Sequence, residues 1–182
     1  MMRKIERENT GLLQAGQDLV VAGYAGLAGT VKLAEAAKEE LSRWFSDEYM
    51  EEIADAAPLC PVSPEFWRSC GAAEWEPAGE GGILTAIWNL TGAYETGVKF
   101  YLRQIPMRQE TVEVCERLEL NPYRLYSRGC VLLTADNGGQ LVRILAEKHI
   151  PAQVIGRVNK GIAREMIVQE GRGFLERPQP DE

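Results

Sequence analysis

The sequence predicts a single domain of the α+β class, with strands and helices interspersed along the chain. Short apolar runs bounded by glycine or polar residues, such as 18–22 and 130–135, are typical of buried strands. Apolar residues three and four positions apart, as in 83–94, are typical of helices that cover a sheet. A length of 182 residues suits one hydrophobic core, because domains usually contain about 100–150 residues.

Composition and charge exclude several classes of partner. The chain is 45% apolar and 26% charged, as in an ordinary globular protein, and its net charge is −7. Its Lys and Arg residues are scattered, so no basic stripe is available for a nucleic-acid partner. The charged start and the absence of an apolar run of about 18 residues predict no membrane partner and a cytoplasmic location.

The first segment predicts a strand, a glycine loop and a long helix. The run 18–22 is the strand, and three glycines at 23, 26 and 29 interrupt it. We expect the helix to open at Thr30 and to pack against a sheet or another helix. Its predicted apolar face comprises Leu33, Ala37, Leu41 and Trp44.

Two capping residues predict short helices further along. Ser46, followed by two acids, is expected to cap a helix through Ile53, because acids are favourable at the positive end of the helix dipole. Ser63-Pro64-Glu65 predicts the start of a helix through Cys70, since proline is tolerated at the first helical position.

The remaining chain predicts alternating helices and strands. A second glycine loop at 78–82 precedes a helix over 83–94 and a strand over 98–102. Next come a helix bearing Val112, Cys115 and Leu118, a strand over 130–135, and a helix capped by Asp136 or Asn137. We expect 153–158 and 162–168 to pair around the turn at 159–161, before a short strand near 174–175 and a disordered tail from 177.

Each glycine loop predicts backbone N–H groups that are free at the start of a helix. Such groups lie at the positive end of the helix dipole and bind phosphate or other anions. Neither loop is a Gly-x-x-x-x-Gly-Lys-Ser/Thr motif, and the alternative is that the glycines provide positive φ or close packing. The predicted cofactor-binding residues are Gly23, Gly26, Gly29, Thr30, Glu80, Gly81 and Gly82.

The sequence contains no recognisable catalytic or metal-binding motif. The four cysteines are too widely separated for a close pair of metal ligands, and His149 is the only imidazole, which we interpret as a residue of a helix's terminal turn. We expect Cys60, Cys70, Cys115 and Cys130 to be buried free thiols, with a reactive thiol as the alternative. Glu80 is interpreted as a solvated loop carboxylate, and its alternative is a base or metal ligand.

Short motifs in a fixed order resemble a known family. They are AGYAGLAGT at 22–30, APL at 57–59, GGILTA at 81–86, IP at 105–106, LNP at 120–122 and SRG at 127–129. Together they resemble the C-terminal domain of the aminoimidazole ribonucleotide (AIR) synthase-related superfamily, and within it the hydrogenase maturation carbamoyl dehydratase branch. The resemblance spans 17–176, with an N-terminal extension at 1–16 and a flexible tail at 177–182. It implies a layered α/β domain with a mixed sheet, from enzymes that activate an amide or carbamoyl oxygen with ATP.

The sequence departs from that branch at several polar positions. The first loop of the branch reads Gly-Asp-His-Gly, whereas this chain has Leu27-Ala28 between the glycines. The second loop of the branch follows Asp-x-Thr, whereas this chain has Pro77-Ala78-Gly79, and Asn89 stands where Glu is common. The branch ends in a Cys that carries the carbamoyl group, whereas this chain ends in Asp181-Glu182. We therefore expect incomplete catalytic machinery.

Three hypotheses follow from the resemblance and the departures. The first is a ligand-binding or accessory subunit linked to hydrogenase maturation, which binds ATP or phosphate at the glycine loops. The second is half of an ATP-dependent amide or carbamoyl dehydratase or synthase, completed in trans by an N-terminal-domain partner protein. The third is a structural homo-oligomer. We expect a homodimer or higher oligomer, because an uncovered domain face exposes apolar surface.

Overall fold

The computed structural model describes residues 13–56, 60, 63–169 and 171–178. Its strands are β1 (Asp18–Ala22), β2 (Glu74–Pro77), β3 (Gly97–Tyr101), β4 (Val131–Ala135), β5 (Ala152–Asn159), β6 (Arg164–Val168) and β7 (Gly171–Phe174). Its helices are α1 (Leu27–Ala36), α2 (Lys38–Leu41), α3 (Asp47–Ala54), α4 (Pro64–Ser69), α5 (Gly82–Ala93), α6 (Gln109–Leu118) and α7 (Gly138–Glu147), with a 3₁₀ turn at Leu102–Gln104.

The strands form one mixed sheet in the order β2-β4-β1-β5-β3-β6-β7. All neighbouring strands are antiparallel except β3 and β6, which run parallel. A mixed sheet packed with helices is the architecture that the sequence and the resemblance predict, and it is confirmed.

Alternation along the central strands sends apolar side chains to both faces of the sheet. On one face Leu19, Val98 and Phe100 pack against α5 in one core. On the other face Val20 and Leu133 pack with α4 and α7 in a second core. A third cluster joins α1, α2, α3 and α6 away from these two. The sheet is thus covered by helices on both sides over its β4, β1 and β5 strands.

The long helix predicted from Thr30 differs in both its start and its extent. α1 begins three residues earlier, at Leu27, because Gly26 adopts the left-handed conformation at its N-cap with φ 74°. The helix is interrupted at Ala37 and continues as the short α2. The prediction that Trp44 belongs to the apolar face is wrong. Trp44 is 58% exposed, and the Arg117 guanidinium lies 4.0 Å from its ring centre.

The predicted pairing of β5 with β6 is also wrong, because β3 lies between them. The connection after β5 crosses the start of β3, where the Val98 N–H donates to the Ala163 carbonyl at 3.0 Å. Gly97 allows this crossing, since a Cβ there would lie 2.5 Å from the Ala163 oxygen. β5 and β6 therefore do not form a hairpin: each pairs with β3, and the chain between them passes over the start of that strand.

Strand β2 is not predicted by the sequence pattern. Its residues read EWEP, and two acids in four positions do not indicate a buried strand. Nevertheless Glu74 and Glu76 are both buried, and the Tyr94 hydroxyl donates to the Glu74 carboxylate. Hydrogen bonding of this kind allows a carboxylate to lie in the interior.

Several local predictions are confirmed. The Tyr49 N–H donates to Ser46 at the start of α3 at 3.2 Å, and the Gln140 N–H donates to Asn137 at the start of α7 at 3.0 Å. Among the described residues, no helix combines the length and apolarity needed to cross a bilayer. The predicted motif at 57–59, most of the N-terminal extension and the tail beyond Pro178 lie outside the described residues.

Candidate functional site

The first glycine loop joins β1 to α1 and lies against the segment 121–129, which we call the crossing segment. The Gly26 N–H donates to the Ser127 hydroxyl at 2.8 Å, and the Gly29 N–H donates to the Tyr126 carbonyl at 2.9 Å. Ser127 is fully buried and its hydroxyl donates in turn to the Leu125 carbonyl at 2.7 Å. Two of the predicted anion donors are therefore hydrogen-bonded within the protein.

Thr30 and Gly23 lie in the interior at the same end of the sheet. The Thr30 hydroxyl is within hydrogen-bonding distance of the Gly26 carbonyl, at 2.8 Å, and of the Thr111 hydroxyl, at 2.9 Å. Gly23 has φ 85°, and a Cβ there would lie 2.9 Å from the Gly129 carbonyl oxygen. Both residues hold the loop against its neighbours and are buried from solvent.

The second glycine loop joins β2 to α5 and contacts the same crossing segment. Gly81 and Gly82 both have positive φ, 78° and 72°. The Gly82 N–H donates to the Gly79 carbonyl at 3.1 Å, and the Leu84 N–H lies 3.4 Å from the Tyr123 carbonyl oxygen that accepts it. Glu80 is exposed beside them, as its interpretation as a loop carboxylate requires.

Leu125 of the crossing segment touches both loops. A Cβ on Gly29 would lie 2.5 Å from the Leu125 Cγ, and a Cβ on Gly82 would lie 2.8 Å from the Leu125 carbonyl oxygen. Glycine is needed at both positions because the crossing segment approaches so closely. The two helix starts therefore lie side by side on one end of the domain.

Arg124 is a polar residue of this region that sequence reasoning did not identify. Its Nη1 is buried and has no hydrogen-bond acceptor within the described part of the chain, while Nη2 donates to the Glu176 carbonyl at 3.4 Å. Desolvation lowers the pKa of its guanidinium below the usual value. No sequence motif singles it out, because its backbone reaches the second glycine loop only through the fold.

Two of the positions that depart from the resemblance, Leu27 and Ala28, lie at the start of α1. Leu27 is buried and Ala28 half-buried in the first turn of α1, and Asn89 is half-buried on α5. Residues 13–56, 60, 63–169 and 171–178 contain no group of three or more His, Cys, Asp or Glu side chains arranged to hold a metal ion. The region offers backbone amides, hydroxyls and the guanidinium groups of Arg124 and Arg128.

The four cysteines are buried and free, as predicted. Burial raises the pKa of Cys60 to about 12 and that of Cys115 to about 11, and it raises the pKa of Cys130 still further. Such thiols are poor nucleophiles near neutral pH, because the reactive form is the thiolate. His149 is exposed just after α7, with φ 62°.

Comparison with known proteins identifies one family model, described as AIR synthase related protein, C-terminal domain, which matches residues 14–168. No curated protein sequence matches the chain. One similar structure is that of E. coli HypE, with a TM-score of 0.74 and 20% identity; the match covers 95% of this chain and 53% of that one. A HypE solved in complex with ATP has a TM-score of 0.70 and 16% identity, and the match covers 94% of this chain and 53% of that one. Thiamine-monophosphate kinase from Stenotrophomonas maltophilia has a TM-score of 0.63 and 17% identity, and the match covers 86% of this chain and 51% of that one. These likenesses show the fold, and the chain spans about half the length of these proteins.

Proposed function

The chain belongs to the AIR synthase related family as a C-terminal domain, and on that premise we propose that it is a ligand-binding or accessory domain without complete catalytic machinery. The observation that carries this proposal is the convergence of both glycine loops on the crossing segment, which contains Arg124. Backbone amides and a guanidinium can hold an anion, whereas general acid–base chemistry needs titratable side chains in reach of the substrate.

The ligand of this site would be a phosphate group, either free or as part of ATP. A HypE of the same fold was solved with ATP. In this chain the second glycine loop suits the phosphate better than the first, because the Gly26 and Gly29 amides already have acceptors. Gly81 is half-buried, and its N–H has no acceptor among the described residues. The Arg124 Nη1, which is buried without an acceptor among the described residues, is a further donor on the adjoining crossing segment.

Isothermal titration calorimetry with ATP, ADP and inorganic phosphate tests the proposal. Arg124→Gln should weaken binding roughly ten- to hundredfold, because a charge-assisted hydrogen bond contributes about 1.5–3 kcal/mol and about 1.4 kcal/mol is tenfold. Glu80→Gln should strengthen it by roughly fivefold, because the exposed carboxylate beside Gly81 repels a bound anion with about 1 kcal/mol in water.

Glu147→Gln is the matched control, since Glu147 is an exposed carboxylate at the far end of α7. It should leave the dissociation constant unchanged. Absence of binding heat with all three ligands would refute ligand binding at the second loop. Identical affinities for wild type, Arg124→Gln and Glu80→Gln would refute it as well. Glu80 is exposed, so this arm stays informative even if Arg124→Gln lowers stability.

A second candidate is an ATP-dependent amide or carbamoyl dehydratase or synthase completed in trans by an N-terminal-domain partner. It is favoured by the apolar Leu27 and Ala28 in the first turn of α1, because reactive groups would then have to come from another domain. Co-purification of an ATP-binding partner, with ATP turnover only in the mixture, supports this candidate. ATP turnover by this chain alone contradicts both candidates. Either form would place the chain in a process like hydrogenase maturation.

Self-association is part of the same proposal. Three large apolar side chains are well exposed: Trp44 at 58%, Ile162 at 79% and Phe174 at 63%. Exposed apolar surface favours association between copies. Light scattering should give a mass above the 20.3 kDa of one chain, and a single species at that mass would contradict a homo-oligomer.

A further inference from the structure

A cleft of about 520 Å³ lies on the sheet face opposite α5, at the end of β1 away from the glycine loops. Asp18 borders this cleft and starts β1, whereas Gly23 follows the end of that strand. The five residue steps from Asp18 to Gly23 separate the two regions by roughly 16 Å at about 3.3 Å per residue. Lys99 and Tyr101 form part of its floor and are exposed, because they point away from the α5 core.

A β-bulge places Arg157 on this face. Across β1, Leu19 pairs with Gly156 but Val20 pairs with Val154, so Ile155 is the extra residue. Strict alternation from Val154 would send Arg157 to the opposite face. With the bulge, Arg157 stands directly opposite Lys99 of β3. Bulges are frequent next to functional sites because they redirect a side chain in this way.

Two cations opposite each other in an antiparallel pair destabilise a sheet. Asp18 relieves this only in part: its Oδ1 is 3.7 Å from Arg157 Nε, and its Oδ2 already accepts from the Gly138 N–H at 2.9 Å. Lys99 has no acidic side chain within ion-pair distance in the described part of the chain. Its β6 register partner, Glu165, is instead paired with Arg172 at 3.4 Å. The two cations thus retain capacity for an anion, on a chain whose net charge is −7.

Other polar and aromatic groups complete the cleft. Tyr101, at the end of β3, is 44% exposed. Gln104, in the 3₁₀ turn, accepts a hydrogen bond from the Gln153 amide at the rim. A ring surface beside two cations suits a small molecule with both a planar and an anionic part, and the volume is within the usual range for small-molecule sites.

We propose that this cleft binds a small organic anion, whose phosphate or carboxylate group bridges Lys99 and Arg157 while an unsaturated ring lies on Tyr101. The site is separate from the second glycine loop and does not depend on the function proposed above. Arg157 provides a planar fork of N–H donors, and Lys99 adds a point charge on the other side of the anion.

Two-dimensional NMR titration of the whole chain with phenyl phosphate, benzoate, inorganic phosphate and neutral benzamide tests the proposal. Phenyl phosphate or benzoate should shift the amide signals of β3 and β5, and their difference decides between the phosphate and the carboxylate. Inorganic phosphate should bind more weakly because it lacks the ring, and benzamide should not bind because it lacks the charge. Lys99→Gln and Arg157→Gln should each weaken binding roughly tenfold.

Arg143→Gln, at an exposed position on α7, is the control for a general loss of positive charge and should have no effect. Arg157→Lys should bind at an intermediate strength if the fork geometry matters. Thermal denaturation checks folding. Lys99→Gln should be at least as stable as wild type, because it removes the repulsion between the two opposed cations. Failure of both aromatic anions to bind, or binding that neither Lys99→Gln nor Arg157→Gln weakens, overturns the proposal. Glu80→Gln should not affect this site.

Discussion

Three glycines provide a graded test of whether the second glycine loop is required for close packing. Gly82 combines φ +72° with contact: an added Cβ would lie 2.4 Å from the Tyr123 carbonyl oxygen and 2.7 Å from the Arg124 carbonyl carbon. Gly71 has φ +103° but nothing within 4 Å. Gly79, in the same loop as Gly82, has neither a positive φ nor a neighbour within 4 Å. Alanine at each position separates backbone strain from steric overlap.

The expected losses in the free energy of unfolding follow from these geometries. Gly71→Ala should cost about 1–2 kcal/mol, the usual penalty for a left-handed residue with a Cβ. Gly82→Ala adds overlap with backbone atoms, which cannot rotate away, and overpacking contributes about 1–3 kcal/mol more. The total at Gly82 is therefore about 2–5 kcal/mol. Gly79→Ala should stay within about 0.5 kcal/mol of wild type or be slightly stabilising.

Urea unfolding followed by tryptophan fluorescence measures all three variants under one condition. The urea concentration at the midpoint should be highest for Gly79→Ala, lower for Gly71→Ala and lowest for Gly82→Ala. The slope of the unfolding free energy against urea should be similar in all three, because the surface exposed on unfolding is unchanged. If Gly82→Ala loses no more stability than Gly71→Ala, the crossing segment does not pack against α5 as described. The close-packing explanation for this glycine would then be wrong.

Two further predictions concern buried groups. Ser127→Ala should lower the free energy of unfolding by about 1–3 kcal/mol, because the Gly26 N–H loses its acceptor. Ser69→Ala, at an exposed hydroxyl, is the control and should change that free energy by about 0.5 kcal/mol or less. Equal losses in the two variants would contradict the buried hydrogen bond. The Cys60 and Cys115 thiols should resist Ellman's reagent at pH 8 until the protein is unfolded. Rapid labelling of the native protein would contradict their burial. Their folded pKa values of about 12 and about 11 lie above the ordinary 9.0. The free energy of unfolding should therefore fall as the pH rises from 9.0 through those values.

Local sequence patterns predicted much of the fold because their causes are local. The apolar runs at β1 and β4 and the apolar spacing in α5 depend on which faces of a strand or helix are buried. Ser46 and Asn137 cap the helices they were expected to cap, since capping uses amides two or three residues away. The same reasoning failed at β2, where Glu74 and Glu76 are buried because the strand pairs with β4, far along the chain.

The candidate site was only partly predictable for a related reason. The sequence placed glycines at the starts of α1 and α5, and it left open whether they serve an anion or close packing. The structure shows that the crossing segment occupies the Gly26 and Gly29 amides, and that Gly82 lies against its backbone. Arg124 and Ser127 join the region only because this segment passes both helix starts.

The sequence by itself determined where most strands and helices form, that the four thiols are buried, and that the chain resembles the AIR synthase related family. Tertiary structure alone decided that β3 lies between β5 and β6, that both glycine loops meet at Leu125, and that a bulge sets Arg157 opposite Lys99. The physical reason is that apolar periodicity and helix capping depend on residues near in sequence. Strand order, register and close approach depend on segments that meet only when the chain is folded.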